Sequence, residues 1–344
     1  MLVPKKTLPN TVTFAFLALI AANLIWAAAG PVIKLTISFI PPFTFLFLRF
    51  LTVCVLILPY TLIELSKTVI SPKDYWKILI LGVFSQSSII FIVFGLKYTT
   101  AVDAAIIGSI GVLMSMVAGY YFFNEKMHNG VAVGLALSLV GTFFVIVEPF
   151  LSNSHVINPI PAGLRVWGNV LVFLNNIMFL LYIIWSKISF GQTTGIIKKA
   201  LHFVHIKPMQ NKYPASLLIA ITFYVGMISM LPFALLENLE VFGPVNYEIA
   251  TLDFKAYLGL GYMVLFSSIA AYFLFEWALD YVSVGDTAIL GYVSSIFGIP
   301  FAFIILGEVP TKFGLIGALI IAVGVVVAET SAHLRRKKRK VFGL

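Results

Sequence analysis

The stretch GLKYTTAVDAAIIG, residues 95–108, returns 183 positions later as ALDYVSVGDTAILG, residues 278–291. The same offset pairs Glu125 with Glu308, and it continues without a gap through the glycine-bearing segments 130–141 and 314–324. Apolar similarity between two segments is common by chance, but shared acidic, glycine and tyrosine positions at one fixed offset are not. The chain therefore contains an internal repeat, and the fold follows from what each copy can form.

Composition indicates that both copies lie in a membrane. The 344 residues are 60% hydrophobic and 11% charged, whereas soluble proteins are about 45–50% apolar and about 25% charged. The mean hydropathy is +1.02, and a soluble chain of this length cannot bury so much apolar surface. A soluble enzyme with a single anchor is thus excluded. The single cysteine, Cys54, leaves no intrachain disulfide.

Ten segments are long and apolar enough to cross the hydrocarbon core, which takes roughly 20 residues of helix. They are residues 12–33, 41–63, 76–96, 102–123, 129–148, 166–189, 215–237, 255–279, 285–306 and 312–330. Each is predicted to be a helix, because an open sheet edge finds no partner in lipid and the runs lack the alternation of barrel strands. The first segment is longer than a signal-peptide core, so we expect it to be retained.

The distribution of basic residues predicts the orientation of the chain. With the N-terminus in the cytoplasm, 17 of the 23 Lys and Arg residues fall on the cytoplasmic side, five outside and one, Arg49, within a span. Because cytoplasmic loops carry the excess of Lys and Arg, we expect a multi-pass protein of the cell membrane with both termini in the cytoplasm. The basic tail, residues 331–344, is interpreted as a topology anchor near anionic lipid and not as a nucleic-acid site.

Each copy of the repeat holds five spans, an odd number, so the second copy enters the membrane upside down. The predicted fold is an all-α integral membrane protein with ten transmembrane helices in two inverted five-helix repeats. Residues 12–148 form the first repeat, 149–165 an extracytoplasmic linker and 166–330 the second repeat. Inverted repeats are typical of secondary transporters, which alternate between inward-open and outward-open shapes around one central site.

Several short motifs add to this pattern. They are Trp26–Lys34 with Pro41 and Arg49, residues 95–101, Asn124-Glu125, residues 278–284, Gly307-Glu308, and the two glycine-bearing segments. Together with the ten spans and the offset, they resemble the drug/metabolite transporter superfamily in its ten-helix form with two EamA-type repeats. The resemblance covers nearly the whole chain.

The resemblance implies a central cavity lined mainly by spans 1, 3, 4, 6, 8 and 9, with spans 5 and 10 packed behind. It also implies transport, often export, of amino acids or other small metabolites. The sequence departs from the family pattern twice. The segment 191–214 is longer than usual and predicts a short amphipathic helix on the membrane surface. The first span has Asn23 where smaller four-helix relatives use a carboxylate for proton coupling, which argues against that scheme and against cationic drugs.

Polar and aromatic residues within the spans are the candidate substrate-binding residues. They are Asn23, Trp26, Gln86, Asn175, Asn176, Ser268, Tyr272 and Glu276. Asn and Gln side chains offer donors and acceptors to a zwitterionic or hydroxylated ligand, but they equally well join one helix to another. Ser268, Tyr272 and Glu276 share one helix face. Glu276 is expected near the cytoplasmic interface, as a substrate-amine site, a coupling-proton carrier or a solvated carboxylate.

Arg49 is predicted to lie near the middle of the second span, where a charge is costly and must face the bundle or water. It is either an anion site for a substrate carboxylate or a structural charge bonded to backbone carbonyls or to Glu276. Gly298 and Pro300 in the ninth span predict a kink that serves as a hinge.

Four acidic residues at the starts of spans are predicted to cap helix N-termini, where the helix dipole favours negative charge. They are Asp103, Glu125, Asp286 and Glu308. The sequence carries no phosphate-binding loop and no metalloprotease or hydrolase motif. We therefore expect no enzyme activity, no metal and no cofactor.

The sequence thus predicts a secondary transporter that moves a small polar organic metabolite, with an amino acid as the first candidate and export as the direction. A passive channel or a lipid flippase of the same fold remains the alternative. The expected partners are the small-molecule substrate and the lipid bilayer, in a monomer or a homodimer.

Overall fold

The computed structural model describes residues 9–123, 129–151, 160–189, 211, 213–245, 247 and 252–342, and these contain ten helices and no strand. The helices are α1 (Pro9–Thr36), α2 (Pro42–Lys67), α3 (Tyr75–Tyr98), α4 (Ala101–Phe123), α5 (Asn129–Leu151), α6 (Ala162–Ser189), α7 (Ala215–Asn238), α8 (Phe254–Leu279), α9 (Val284–Leu306) and α10 (Lys312–Phe342). Residues Met263–Ala270 of α8 form a π-helical stretch.

The described helices confirm the all-α membrane fold. Nine of them are long and apolar enough to cross a membrane, and α10 contributes the apolar part Lys312–Ala328. Large apolar side chains such as Phe143, 66% exposed, and Ile304, 73% exposed, lie on the outer surface. A lipid environment accounts for them, because soluble proteins rarely expose contiguous apolar surface of this kind. Each predicted span matches one helix to within a few residues, except that α10 continues to Phe342 and includes most of the basic tail.

Two glycine pairs show that the repeats are related by a two-fold axis. Helices α5 and α10 pack so closely that a methyl group on Gly141 would lie 2.8 Å from the carbonyl oxygen of Gly317, and Gly134 faces Gly324 in the same way. The offset of 183 makes Gly134 equivalent to Gly317 and Gly141 equivalent to Gly324. The contact is therefore reciprocal, as in a two-fold interface between identical subunits.

The same reciprocity holds at the crossing of α4 and α9. A methyl group on Gly108 would approach Ser295, and one on Gly291 would approach Val112. Gly291 is the equivalent of Gly108, and Ser295 is the equivalent of Val112. The two-fold axis thus passes through both the α5–α10 and the α4–α9 contacts, with the antiparallel sense that an inverted repeat requires.

Most of the helix packing runs between the two repeats. Helix α1 packs against α8 and α9, α3 packs against α6 and α7, and α2 packs against α7. Helices α5 and α10 pack mainly against each other, as the family resemblance implies. The six helices α1, α3, α4, α6, α8 and α9 surround the centre of the bundle.

Two of the acidic residues that were predicted to cap their own helices have partners elsewhere in the bundle. The Glu308 carboxylate precedes α10 but accepts the backbone N–H groups of Ala101 and Val102, at 2.6 and 3.3 Å, so it caps α4 in the other repeat. Asp103 pairs with Arg165 at 3.1 Å. Asp286 bonds the hydroxyl of the α9 N-cap residue Ser283. Glu125 and the segment 191–210 lie outside the described residues.

Candidate functional site

A cavity of about 260 Å³ lies at the interface of the two repeats. Its walls come from α1, α3, α4, α6, α8 and α9, with one residue, Arg49, from α2. On α4 the lining runs from Ala101 to Ser115, which is about 21 Å of helix in a hydrocarbon core of roughly 30 Å. The volume lies close to the lower limit of small-molecule pockets, roughly 300 Å³.

All three predicted asparagines line this cavity. The Asn175 amide oxygen accepts a hydrogen bond from the Ser88 hydroxyl at 2.7 Å, so α6 and α3 present one polar surface. The Asn23 and Asn176 amides donate to the carbonyl oxygens of Leu19 and Val172 in their own helices, at 2.8 and 3.1 Å. These bonds fix the donor groups and leave the amide oxygens of Asn23 and Asn176 as acceptors at the cavity wall.

An aromatic cluster forms another part of the wall. The Trp26 ring lies 5.1 Å from Tyr272, 5.7 Å from Phe179 and 5.0 Å from Phe275, measured between centroids. The Trp26 indole N–H donates to the carbonyl oxygen of Ser267 at 3.1 Å. Trp26 and Tyr272 are predicted site residues, whereas Phe179 and Phe275 give no sequence signal, because phenylalanine is as common on lipid-facing surfaces as in a cavity.

Arg49 lines the cavity with its guanidinium held by α8. Its Nε donates to the Ser268 hydroxyl at 2.7 Å, and Nη2 lies 3.5 Å from the Ser267 hydroxyl. The side chain is 2% exposed. The sequence offered a structural role in which Arg49 bonds backbone carbonyls or Glu276. The described contacts of Arg49 are with serine hydroxyls instead. Both serines lie in the π-helical stretch of α8, and π-helical turns are frequent at functional sites.

Gln86 and Glu276 are among the candidate residues that lie away from the cavity lining. Gln86 is 2% exposed, and its amide donates to the Thr222 carbonyl oxygen at 2.8 Å, which joins α3 to α7. Glu276 is 1% exposed and accepts hydrogen bonds from the hydroxyls of Tyr182 and Ser186. Glu276 is therefore buried under α6. The solvated carboxylate at the interface, one of the three roles that the sequence left open for Glu276, is not what the structure shows.

Ser268 lies behind the cavity wall, fully buried beside Arg49. Gly298 lines the cavity, and a methyl group there would lie 2.9 Å from the Cβ of Ala105, so α9 approaches α4 closely at this point. Pro300 lies two residues further along α9, outside the lining.

Ion pairs, one partly buried and two buried, tie the helices together at the end of the bundle where α1 terminates, here named the Lys34 end. The Lys34 ammonium is 2.6 Å from Glu308 and donates to the Thr99 carbonyl oxygen at 2.6 Å. In the same region Arg165 lies 3.1 Å from Asp103 and 3.2 Å from Glu148. The sequence did not reveal these pairs, because the partners are far apart along the chain.

The opposite end of the bundle, here named the Lys187 end, repeats part of this arrangement. The buried Lys187 ammonium, at the end of α6, donates to the carbonyl oxygens of Leu279, at 2.8 Å, and of Val282. The offset of 183 makes Val282 the equivalent of Thr99, the residue that Lys34 bonds. Each repeat therefore supplies one lysine that binds the turn before a central helix, α4 at one end and α9 at the other.

The sequence of this chain is similar to a known protein family and to several known proteins. The sequence profile of the EamA-like transporter family matches residues 13–147 and 193–330. An "Uncharacterized transporter" of Archaeoglobus fulgidus is 25% identical over 94% of this chain and 99% of its own length. A "Probable amino-acid metabolite efflux pump" of Salmonella typhimurium is 24% identical over 94% of this chain and 97% of its own.

A solved crystal structure shares the fold. It superposes with a TM-score of 0.59 over 94% of this chain and 99% of the other chain, at 15% sequence identity. The likeness extends over both repeats.

Proposed function

Because this chain belongs to the EamA-like transporter family, we propose that it is a secondary transporter that exports a small polar organic metabolite by alternating access. The family and the relatives are transporters and not enzymes. The observation that carries the proposal is the central cavity between two inverted repeats, because inverted repeats give two half-structures that exchange shapes around one central site.

The lining supports a small polar substrate. Amide and hydroxyl groups of Asn175, Asn176 and Ser88 share the lining with the aromatic rings around Trp26. A few placed polar groups on an apolar surface are the usual composition of a small-molecule site. The name of the Salmonella relative supports an amino acid or a related compound as the first candidate and export as the direction. The basic residues support both termini in the cytoplasm of the cell membrane.

The test is counterflow in proteoliposomes. Purified protein is reconstituted into vesicles that are preloaded with unlabelled amino acids, hydroxy acids or polyols, and uptake of the same labelled solute is measured. We expect preloading to accelerate uptake of at least one solute, because a carrier returns faster when it is loaded on both sides. Protein-free vesicles are the control.

Other outcomes identify the alternatives. Uptake that preloading does not accelerate indicates a passive channel, and translocation of a fluorescent phospholipid without solute uptake indicates a flippase. If no organic solute moves, with or without a proton gradient, the transporter proposal is rejected.

A further inference from the structure

Arg49 differs in its partners from Arg165 and Lys77, two other buried cations of the bundle. Arg165 is equally buried, at 2% exposed, and has Asp103 and Glu148 within 3.2 Å. Lys77 is 2.7 Å from Asp74. Within the described parts of the chain, no ion pair includes Arg49, whose hydrogen-bonding partners are two neutral serine hydroxyls. Among the residues that the structure describes, no acid lies within ion-pair distance of the Arg49 charge.

The cavity lining supplies no acid either. Among the described residues that line it, Arg49 carries the only charge. A buried cation without an anion is unfavourable, because the protein interior replaces the lost hydration poorly. An anionic group that enters the cavity removes this penalty, and the guanidinium plane matches a carboxylate with two parallel hydrogen bonds.

The contacts of Arg49 suit it to hold a ligand. Its described hydrogen bonds use Nε and Nη2, while a guanidinium has five N–H donors, so donors remain for a group in the cavity. Ser267 and Ser268 fix the side chain against α8, and Trp26 bonds the Ser267 carbonyl oxygen. The arginine is thus held in place before any ligand arrives, which lowers the entropic cost of binding.

We propose that the transported solute carries one carboxylate group, that Arg49 binds this group, and that the neutral polar and aromatic wall binds the rest of the molecule. The inference rests on the proposed transport function and names its substrate class. One guanidinium balances one negative charge, so a phosphate dianion leaves a charge uncompensated in the cavity and a cationic amine that lacks a carboxylate is repelled.

The test compares solutes that differ only in the carboxylate. Labelled alanine, lactate and phenylalanine are each paired with the corresponding primary amide, and both binding in detergent and counterflow in vesicles are measured. We expect acids to be bound and exchanged and the amides to bind at least about tenfold more weakly, because a charge-assisted pair is lost.

Variants locate the effect at Arg49. Arg49→Met is expected to weaken acid binding about tenfold to a hundredfold and to abolish the preference for the acid over its amide. Arg49→Lys keeps the charge and is expected to retain part of the preference. The matched control is Lys97→Met, which removes an exposed cation outside the cavity and is expected to behave as the unmodified protein.

The outcomes separate this inference from the transport function. A folded Arg49→Met that still prefers acids, or unmodified protein that binds acid and amide equally, overturns the inference and leaves transport intact. Acid binding that Arg49→Met weakens, without exchange, overturns transport and leaves Arg49 as a carboxylate-binding residue, whereas no acid binding overturns the inference. If Arg49→Met does not elute as a folded species, Ser268→Ala takes its place, because it loosens the arginine without removing it. An unchanged preference for acids in both Ser268→Ala and Arg49→Lys then overturns the inference.

Discussion

Gln86 and Asn175 are both amide side chains in the middle of apolar helices, yet their environments differ. Gln86 donates to the backbone of α7, whereas Asn175 faces the cavity and accepts from Ser88. Nothing in the local sequence distinguishes them, because a helix that is apolar on every side does not indicate which face points inward. The sequence identified both residues as candidates, and only the helix rotation separates a helix-joining residue from a cavity residue.

Gly141 is the residue at which a small substitution should have a large effect. A methyl group there would lie 2.8 Å from the carbonyl oxygen of Gly317 and 2.8 Å from a side-chain carbon of Ile321. We expect Gly141→Ala to destabilise the protein by about 1–3 kcal/mol, because inserted methyl groups in a packed interface force the backbones apart.

Thermal unfolding in detergent measures this effect, with Gly163→Ala as the control. Gly163 lies in the first turn of α6, and nothing comes within 4 Å of a methyl group built on it. That variant should unfold at the same temperature or higher, since alanine favours helix over glycine. Equal unfolding temperatures for the two variants would contradict the close packing of α5 and α10.

At the scale of whole elements, two helices take their N-terminal caps from elsewhere in the chain. The Glu237 carboxylate at the end of α7 accepts the N–H groups of Phe43 and Thr44 and the Thr44 hydroxyl. Glu308, in the turn before α10, does the same for α4. Negative charge at a helix N-terminus is favourable, and here it also fixes how two helices meet.

We expect Glu237→Gln to lower the free energy of unfolding by about 1–2 kcal/mol. The variant keeps one acceptor oxygen but loses the charge and the second acceptor, and Glu237 is only 6% exposed. The comparison is Glu240→Gln, an exposed acid in the same turn, which should change stability by less. Chemical unfolding followed by tryptophan fluorescence gives both values, and a larger loss in the Glu240 variant would rule out the capping role.

On the scale of the molecule, the two-fold relation between repeats extends from helix packing to the turns at the two ends. Lys34 bonds the carbonyl oxygen of Thr99, and Lys187 bonds that of its equivalent, Val282. Alternating access requires that contacts at one end break while those at the other end hold. Under the proposed alternating-access mechanism, the two lysines would act on opposite sides of that equilibrium.

We expect Lys34→Met and Lys187→Met to shift the conformational equilibrium in opposite directions, each by about fivefold or more, since a hydrogen bond from a charged group contributes about 1.5–3 kcal/mol and the partial exposure of Lys34 lowers that value. The measurement is labelling of a cysteine at the cavity residue Ser295 by a membrane-impermeant reagent, with Cys54 replaced by serine. Loss of Lys34 should raise labelling from the Lys34 end, and loss of Lys187 from the other end. Shifts in the same direction would exclude opposed roles.

The sequence by itself determined the membrane class, the helix positions and the inverted repeat, because length, hydropathy and a fixed offset are properties of the chain read in one dimension. It also located Asn23, Trp26, Asn175, Asn176 and Tyr272, polar or amphipathic residues that lipid disfavours, and these lie at the cavity.

Only the tertiary structure decided which side chains contact one another. The burial of Glu276 under α6, the serines that hold Arg49 and the acids that pair with Arg165 depend on how each helix is rotated and tilted against helices far away in sequence. Those rotations arise from close packing between helices that are apolar on all sides, as at Gly134 and Gly141, and no local pattern in the chain encodes them.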